Sequence, residues 1–153
     1  MKMTTLAMNQ LRSELDRTDA RTVLVRGASA PPRPDRTVTV APGVAARVTP
    51  DDRCAPLFVS AEAPSGRTVR RYDGGDAESA ADFAVELAAE RDLQAVWLCQ
   101  REQVRSWWGE GVADRIERRL ASGARQVDAR LVIWSKRDGA VGDRYDVVVV
   151  AVP

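Results

Sequence analysis

The sequence predicts a single α+β domain in which a mixed, mostly antiparallel sheet carries an N-terminal helix, two further helices and a C-terminal β-hairpin. The chain has 153 residues, 44% of them hydrophobic, which suits one core of ordinary domain size. Short apolar segments separated by turn residues fill most of the first half, whereas two stretches of the second half have helical period. We find no internal repeat or long linker, and therefore expect residues 1–153 to form one domain.

The first element is an amphipathic helix over residues 5–18, because Ala7, Leu11 and Leu15 recur at helical spacing. A proline-rich loop over residues 29–35 separates the first strand from a series of others, and turns rich in proline, glycine and aspartate divide that series. We expect the four strands after this loop to form an antiparallel meander. The predicted strands cover residues 22–26, 36–40, 44–48, 57–62 and 67–72.

The pattern then changes to helical period. Asp76 is placed to cap a helix that runs to Arg91. A strand over residues 93–99 follows, and its apolar composition is typical of a buried strand. The predicted helix has one face of small apolar residues suited to packing on a sheet. That face consists of Ala77, Ala80, Ala81, Ala84, Leu87 and Ala88.

A longer helical stretch over residues 101–121 follows this strand. We expect it to kink or divide at Gly109 and Gly111, and to end at Gly123, since glycine is common just past a helix C-terminus. The chain closes with two apolar strands joined by a turn-rich segment, which predicts a terminal hairpin. These two strands cover residues 129–136 and 144–152.

The absence of histidine restricts the chemistry most. The 153 residues include none, which excludes a Ser-His-Asp triad, a Cys-His pair and the histidine-containing zinc sites. Two cysteines, Cys54 and Cys99, are too few for a four-sulfur zinc site, so no metal is expected. Carboxylate-driven chemistry, a lone reactive cysteine and binding without reaction are the classes that remain. A Ser-Lys dyad is excluded, because Ser135 and Lys136 are neighbours on a predicted strand and point to opposite faces.

Composition also predicts where the protein works. The longest apolar run, residues 147–152, is far shorter than the roughly 20 residues needed to cross a bilayer. The sparing use of cysteine and the lack of a signal sequence favour the cytoplasm. The chain has 21 arginines and two lysines, a bias typical of GC-rich bacterial coding. We therefore expect a cytoplasmic bacterial protein that does not bind membranes.

Two adjacent tryptophans are the leading candidates for a binding site. Consecutive helical residues lie about 100° apart, so Trp108 falls on the apolar stripe and Trp107 falls beside it. Arg101 and Arg105, on the preceding turns, add the Trp-plus-Arg composition found in binding hot spots. We expect these four residues to bind another protein without catalysis. The sequence leaves homo-oligomerisation open, as well as an alternative in which both rings belong to the core.

A second set of residues offers an enzymatic alternative. Arg26 ends the first strand, Ser60 lies near the end of a middle strand, and Gln100-Arg101-Glu102 follows a later strand. This order is similar to the Arg, Ser and Gln/Glu-x-Glu set of ADP-ribosyltransferases. The resemblance implies that Arg26 and Ser60 hold NAD, and that Glu102 stabilises the positive charge that develops as nicotinamide leaves. Outside this alternative we expect no cofactor.

A third alternative is weak nucleic-acid binding. The last helix and the strand after it carry several arginines, but acidic residues are interleaved with them and weaken their field. The 23 basic and 22 acidic side chains of the chain leave a net charge of only +1, so the overall charge does not favour nucleic acid as a partner. The arginines are Arg115, Arg118, Arg119, Arg125 and Arg130, and the interleaved acids are Asp114, Glu117 and Asp128.

Overall fold

An eight-stranded mixed sheet organises the described part of the chain in this computed structural model. The described residues are 2–7, 10, 20–27, 37–42, 57–63, 66–72, 76–99, 101–135 and 145–152. The strands are β1 (Lys2–Ala7), β2 (Thr22–Arg26), β3 (Thr37–Pro42), β4 (Leu57–Ala63), β5 (Gly66–Tyr72), β6 (Ala95–Cys99), β7 (Arg130–Ser135) and β8 (Val147–Val152). The helices within these ranges are α1 (Ala77–Glu90), α2 (Arg101–Trp108) and α3 (Glu110–Gln126).

The predicted α+β class and the mixed sheet are confirmed, with the strand order β1-β8-β2-β7-β6-β3-β4-β5. Strands β3, β4 and β5 form an antiparallel meander. In it β3 pairs directly with β4, whereas the predicted meander placed a strand over residues 44–48 between them. The other five neighbouring pairs among the described strands are parallel, so the expected excess of antiparallel pairs is corrected. The reason is visible between β6 and β7, where the chain passes through α2 and α3. Such a helical crossover returns the chain to the end of the sheet at which β6 began, so the next strand runs parallel to it.

The two C-terminal strands are present, but they are not neighbours. Strand β2 lies between β7 and β8 and is parallel to both, so the pair does not form a hairpin. The valine run of β8 accounts for this placement, because an interior strand buries both of its faces. The residues of β8 up to Val149 are accordingly buried.

The predicted N-terminal helix is only partly testable. Its first three residues, 5–7, belong to β1, which pairs with β8 in parallel register from Lys2 opposite Val147 to Ala7 opposite Val152. The strand forms there because β8 presents an apolar strand that would otherwise be left with an open edge. The rest of the predicted helix, apart from Gln10, lies outside the described residues, as do the predicted loop at 29–35 and the predicted strand at 44–48.

The three helices pack on one face of the sheet. The small-residue face of α1 is buried as predicted, from Ala77 to Ala88, and it packs with Val59 and Ala61 of the sheet. Asp76 precedes α1 as expected, but its side chain makes no capping hydrogen bond.

Two glycines of the predicted long helix have different functions. Gly109 divides it into α2 and α3 at a φ of 93°, a conformation that glycine adopts without strain. Gly123, expected at the end of the helix, lies inside α3. A Cβ atom at residue 123 would lie 2.5 Å from Cγ2 of Val85. Gly123 therefore allows α1 and α3 to approach closely.

Gly123→Ala should lower the free energy of unfolding by about 1–3 kcal/mol, because the added methyl overlaps Val85. The matched control is Gly111→Ala on the same helix, where the nearest atom to the added Cβ is Arg115 Nη1 at 3.8 Å. That control should raise stability by roughly 0.5–1 kcal/mol through helix propensity. Urea denaturation measures both, and equal stabilisation by the two variants would contradict the close approach.

The opposite face of the sheet has its own buried cluster, which includes Trp97 and Trp134. The indole Nε1 of Trp134 donates a hydrogen bond to the carbonyl oxygen of Gly27 at 3.1 Å. Trp97 Nε1 and Thr39 Oγ1, whose residues are register partners on β6 and β3, are buried and have no hydrogen-bond partner among the described residues. A buried polar group without a partner reduces stability.

Thr39→Val should therefore raise the free energy of unfolding, by about 0.5–1 kcal/mol, because it removes an unpaired hydroxyl and keeps the shape of the side chain. The control is Thr22→Val, since Thr22 Oγ1 accepts a hydrogen bond from Asp146 N at 3.1 Å. We expect the control to lose about 1 kcal/mol in the same urea titration. A loss of stability in Thr39→Val would show that its hydroxyl is paired.

Candidate functional site

A buried arginine occupies the start of α2. Arg101 follows β6 by two residues and is only 4% exposed. Its Nε donates to Glu117 Oε2 at 3.0 Å, and its Nη2 donates to Glu110 Oε1 and Asp114 Oδ1, each at 2.9 Å. The three acids are spaced four and three residues apart, which places them on one face of α3. Charge-assisted hydrogen bonds therefore join α2 to α3.

Tyr145 extends this cluster to the start of β8. Its hydroxyl donates a hydrogen bond to Glu117 Oε1, and both side chains are buried. Burial by itself lowers the pKa of Arg101, but the hydrogen bond to Glu110 and the negative charges of Glu117 and Glu110 outweigh it and raise that pKa. The guanidinium therefore stays charged, and three carboxylates around it leave the cluster net negative.

A cavity of about 330 Å³ lies beside this cluster, between α3 and the first residues of β2 and β7. Its polar lining includes the buried Glu117 and Tyr145 and the exposed Arg118. Concave sites of this kind, with a few convergent polar groups in an apolar lining, are typical of ligand pockets. Thr22, Ala121 and Leu131 complete the lining.

A second polar group lies at the opposite edge of the sheet, where the parallel strands end. Ser135 Oγ donates to Glu102 Oε2 at 3.0 Å, and Arg26 is the register partner of Ser135 on the neighbouring strand. In parallel sheets, ligands bind at this carboxyl edge. The structure thus brings Arg26 and Glu102, two residues of the predicted enzymatic set, to the same part of the molecule.

Ser60 is far from both of them. It lies on β4, four strands from β2 in the sheet, and strands about 4.8 Å apart place it roughly 19 Å away across the sheet. Its neighbours Val59 and Ala61 belong to the helix-covered core, so the alternation of a strand directs Ser60 to the other face. The NAD-holding arrangement implied by the resemblance to ADP-ribosyltransferases is therefore not assembled by Arg26, Ser60 and Glu102.

The four residues of the predicted binding site separate into two groups. Arg101 is buried and bound to acids of α3, which corrects its assignment to a binding surface. Trp108 packs against the helix-side core. Trp107 is half-buried, and its ring meets that of Trp108 edge to face, with centroids 6.2 Å apart. Arg105 has an exposed side chain, 3.8 Å from Glu110.

Two of the five arginines considered for nucleic-acid binding, Arg115 and Arg119, face acids of α1. Arg119 contacts Asp82 at 2.6 and 3.0 Å, and the hydrogen bond to Asp82 raises the pKa of Arg119. Arg115 lies 3.4 Å from Glu78. Such pairing reduces the positive field that phosphate binding needs.

No protein-family model matches the chain, and no curated protein or solved structure matches it significantly. None of the described helices is long and apolar enough to cross a membrane. Over the described ranges, no group of three or more Cys, Asp or Glu side chains is arranged to hold a metal ion. Cys99 ends β6, whereas Cys54 lies outside those ranges.

Sequence reasoning missed the buried ion cluster and the cavity. The spacing of Glu110, Asp114 and Glu117 along one helix face is a usable signal, because the last of these acids falls among the buried residues of α3 and a buried acid requires a partner. Nothing in the spacing indicates which residue is the cationic partner of these acids, since Arg101 meets α3 only because the helix breaks at Gly109. Tyr145 gave no signal of its own.

Arg101→Met should lower the free energy of unfolding by about 3–5 kcal/mol, because it leaves Glu117 buried without its cation. The matched control is Arg119→Met, which removes an arginine that also contacts two acids, Asp82 and Glu78, but on the surface. We expect little change in the control, since exposed ion pairs are weak and screened by salt. Chemical denaturation compares them, and similar losses in both variants would contradict the buried cluster.

Proposed function

We propose that this protein acts by binding another protein through Trp107 and Arg105, which we call the Trp107 surface. The observation that carries the proposal is the half-buried ring of Trp107, held edge to face against the core-packed ring of Trp108. Large aromatic rings next to arginine dominate the energetics of many interfaces. The composition of the chain supports a cytoplasmic bacterial setting for this activity.

The residues that pack next to the Trp107 surface hold it in a fixed position. Trp108 is anchored in the core, and Arg101, one turn before Arg105, is fixed by its contacts with α3. A side chain that is already ordered loses less conformational entropy when a partner binds. The Trp107 surface is therefore preorganised, although the helix that carries it has only eight residues.

The charges around Trp107 indicate the chemistry of the partner. Arg105 is 42% exposed and its ion pair with Glu110 is long, at 3.8 Å. Such an exposed pair contributes little, so a carboxylate of the partner can replace Glu110 at Arg105. The matching partner segment has an apolar side chain to cover Trp107 and an acidic residue beside it.

The proposal is tested by placing a photoreactive benzoylphenylalanine at residue 107 of the full chain in its native host. We expect one dominant protein adduct that falls at least tenfold in yield when Arg105→Glu is added, because the partner's acid then meets a like charge. The control Arg125→Glu changes an exposed arginine of α3 and should leave the yield unchanged. An adduct insensitive to Arg105→Glu, or no dominant adduct, would overturn the proposal.

Trp107→Ala distinguishes a binding role from a core role. If Trp107 serves binding, this substitution should lower the melting temperature by less than about 3 °C. Trp108→Ala should lower it much more, since it removes a ring that packs on the core. Differential scanning calorimetry gives both values. An equally large loss in the two variants would assign Trp107 to the core.

A further inference from the structure

The cavity beside Glu117 has an uneven charge distribution. Its inner wall is formed by Glu117 and Tyr145, part of the cluster in which three carboxylates surround the single guanidinium of Arg101. Glu117 is only 6% exposed, and it shares the guanidinium of Arg101 with two other carboxylates. Its charge is therefore only partly neutralised and attracts a cationic group more strongly than an exposed acid would. A ligand cation is therefore favoured at the inner end of the cavity.

The outer wall is positive. Arg118 lines the cavity, and it makes no ion pair with any other residue of the described ranges, unlike Arg115 and Arg119 on the same helix. Guanidinium groups bind carboxylates with two parallel hydrogen bonds. Thr22 also lines the cavity, and its hydroxyl can donate a hydrogen bond to an anion. A ligand carboxylate is therefore favoured near Arg118.

The rest of the lining is apolar. Ala121 and Leu131 contribute aliphatic surface, and Tyr145 contributes its ring. The volume of about 330 Å³ is at the lower end of the range for small-molecule pockets. The occupant is therefore a small molecule with an apolar part of a few carbon atoms to one aromatic ring.

We propose that this cavity binds a free α-amino acid with an apolar or aromatic side chain. Its ammonium group lies toward Glu117, its carboxylate meets Arg118 and Thr22, and its side chain packs on Ala121 and Leu131. The zwitterion matches both charged walls at once, which neither a simple amine nor a simple carboxylic acid does. This site is separate from the Trp107 surface and does not depend on the proposed protein partner.

Isothermal titration calorimetry of the full chain tests the proposal with free leucine, isoleucine, methionine, phenylalanine, tyrosine and tryptophan. We expect at least one of them to bind with a Kd below about 1 mM, a value in keeping with so small a ligand. For phenylalanine, the comparison compounds are phenethylamine, which lacks the carboxylate, and 3-phenylpropionate, which lacks the ammonium; for another hit, the corresponding amine and acid are used. Both should bind at least tenfold more weakly than the amino acid.

Two variants locate the site. Arg118→Met should weaken amino-acid binding at least tenfold and leave binding of the amine unchanged, whereas the control Arg125→Met should change neither. Ala121→Leu should block binding by filling the cavity, and because leucine is a good helix former, the variant should keep its circular dichroism spectrum.

Three results would overturn the proposal. The first is that none of the six amino acids binds below about 1 mM. The second is that the amine or the acid binds as well as its amino acid, because the zwitterion would then not be what is recognised. The third is unchanged binding in Arg118→Met or in folded Ala121→Leu, which would place the ligand elsewhere.

Discussion

The position of α2 depends on the burial of Arg101. A helix of eight residues is too short to be stable by itself, and here its first residue is bound by three carboxylates of α3. Moving a guanidinium out of water is costly, and only well-placed partners offset that cost. The cluster therefore accepts one arrangement of α2 on α3, and that arrangement fixes both the direction of Trp107 and the inner wall of the cavity.

The parts of the fold that local pattern determines were predictable. The buried face of α1 and the division at Gly109 follow from helical period and from glycine chemistry, and the structure confirms both. Gly123 was placed at a helix end because glycine is common there, but its lack of a side chain serves the approach of Val85. That approach is set by a helix 38 residues away in the sequence, so residue spacing within α3 could not reveal it. The strand conformation of residues 5–7 was not predictable for a similar reason, because their partner strand β8 is at the other end of the chain.

The candidate sites show the same limit more sharply. Arg26, Ser60 and Glu102 have a suggestive order along the chain, but two further facts decide whether they meet: the order of strands in the sheet and the face to which each side chain points. Arg26 shares its face with Leu24 of the helix-covered core, whereas Ser60 points to the other face. The sequence places Arg101 in the binding surface because it lies just before Trp107 and Trp108, and only the packing of α2 on α3 shows it to be buried.

The near neutrality of the chain conceals an ordered separation of charge on α3. On one side of this helix, the three acids Glu110, Asp114 and Glu117 face Arg101. On the other side, Arg115 and Arg119 face acids of α1, and Arg118 borders the cavity. One helix thus holds α2 with its carboxylates and α1 with its guanidinium groups. Because the chain has no histidine, and because arginine keeps its charge at any physiological pH, these contacts do not depend on a group that titrates near neutrality. The cavity has its two unlike walls for the same reason: it lies where the acidic and the basic sides of α3 meet.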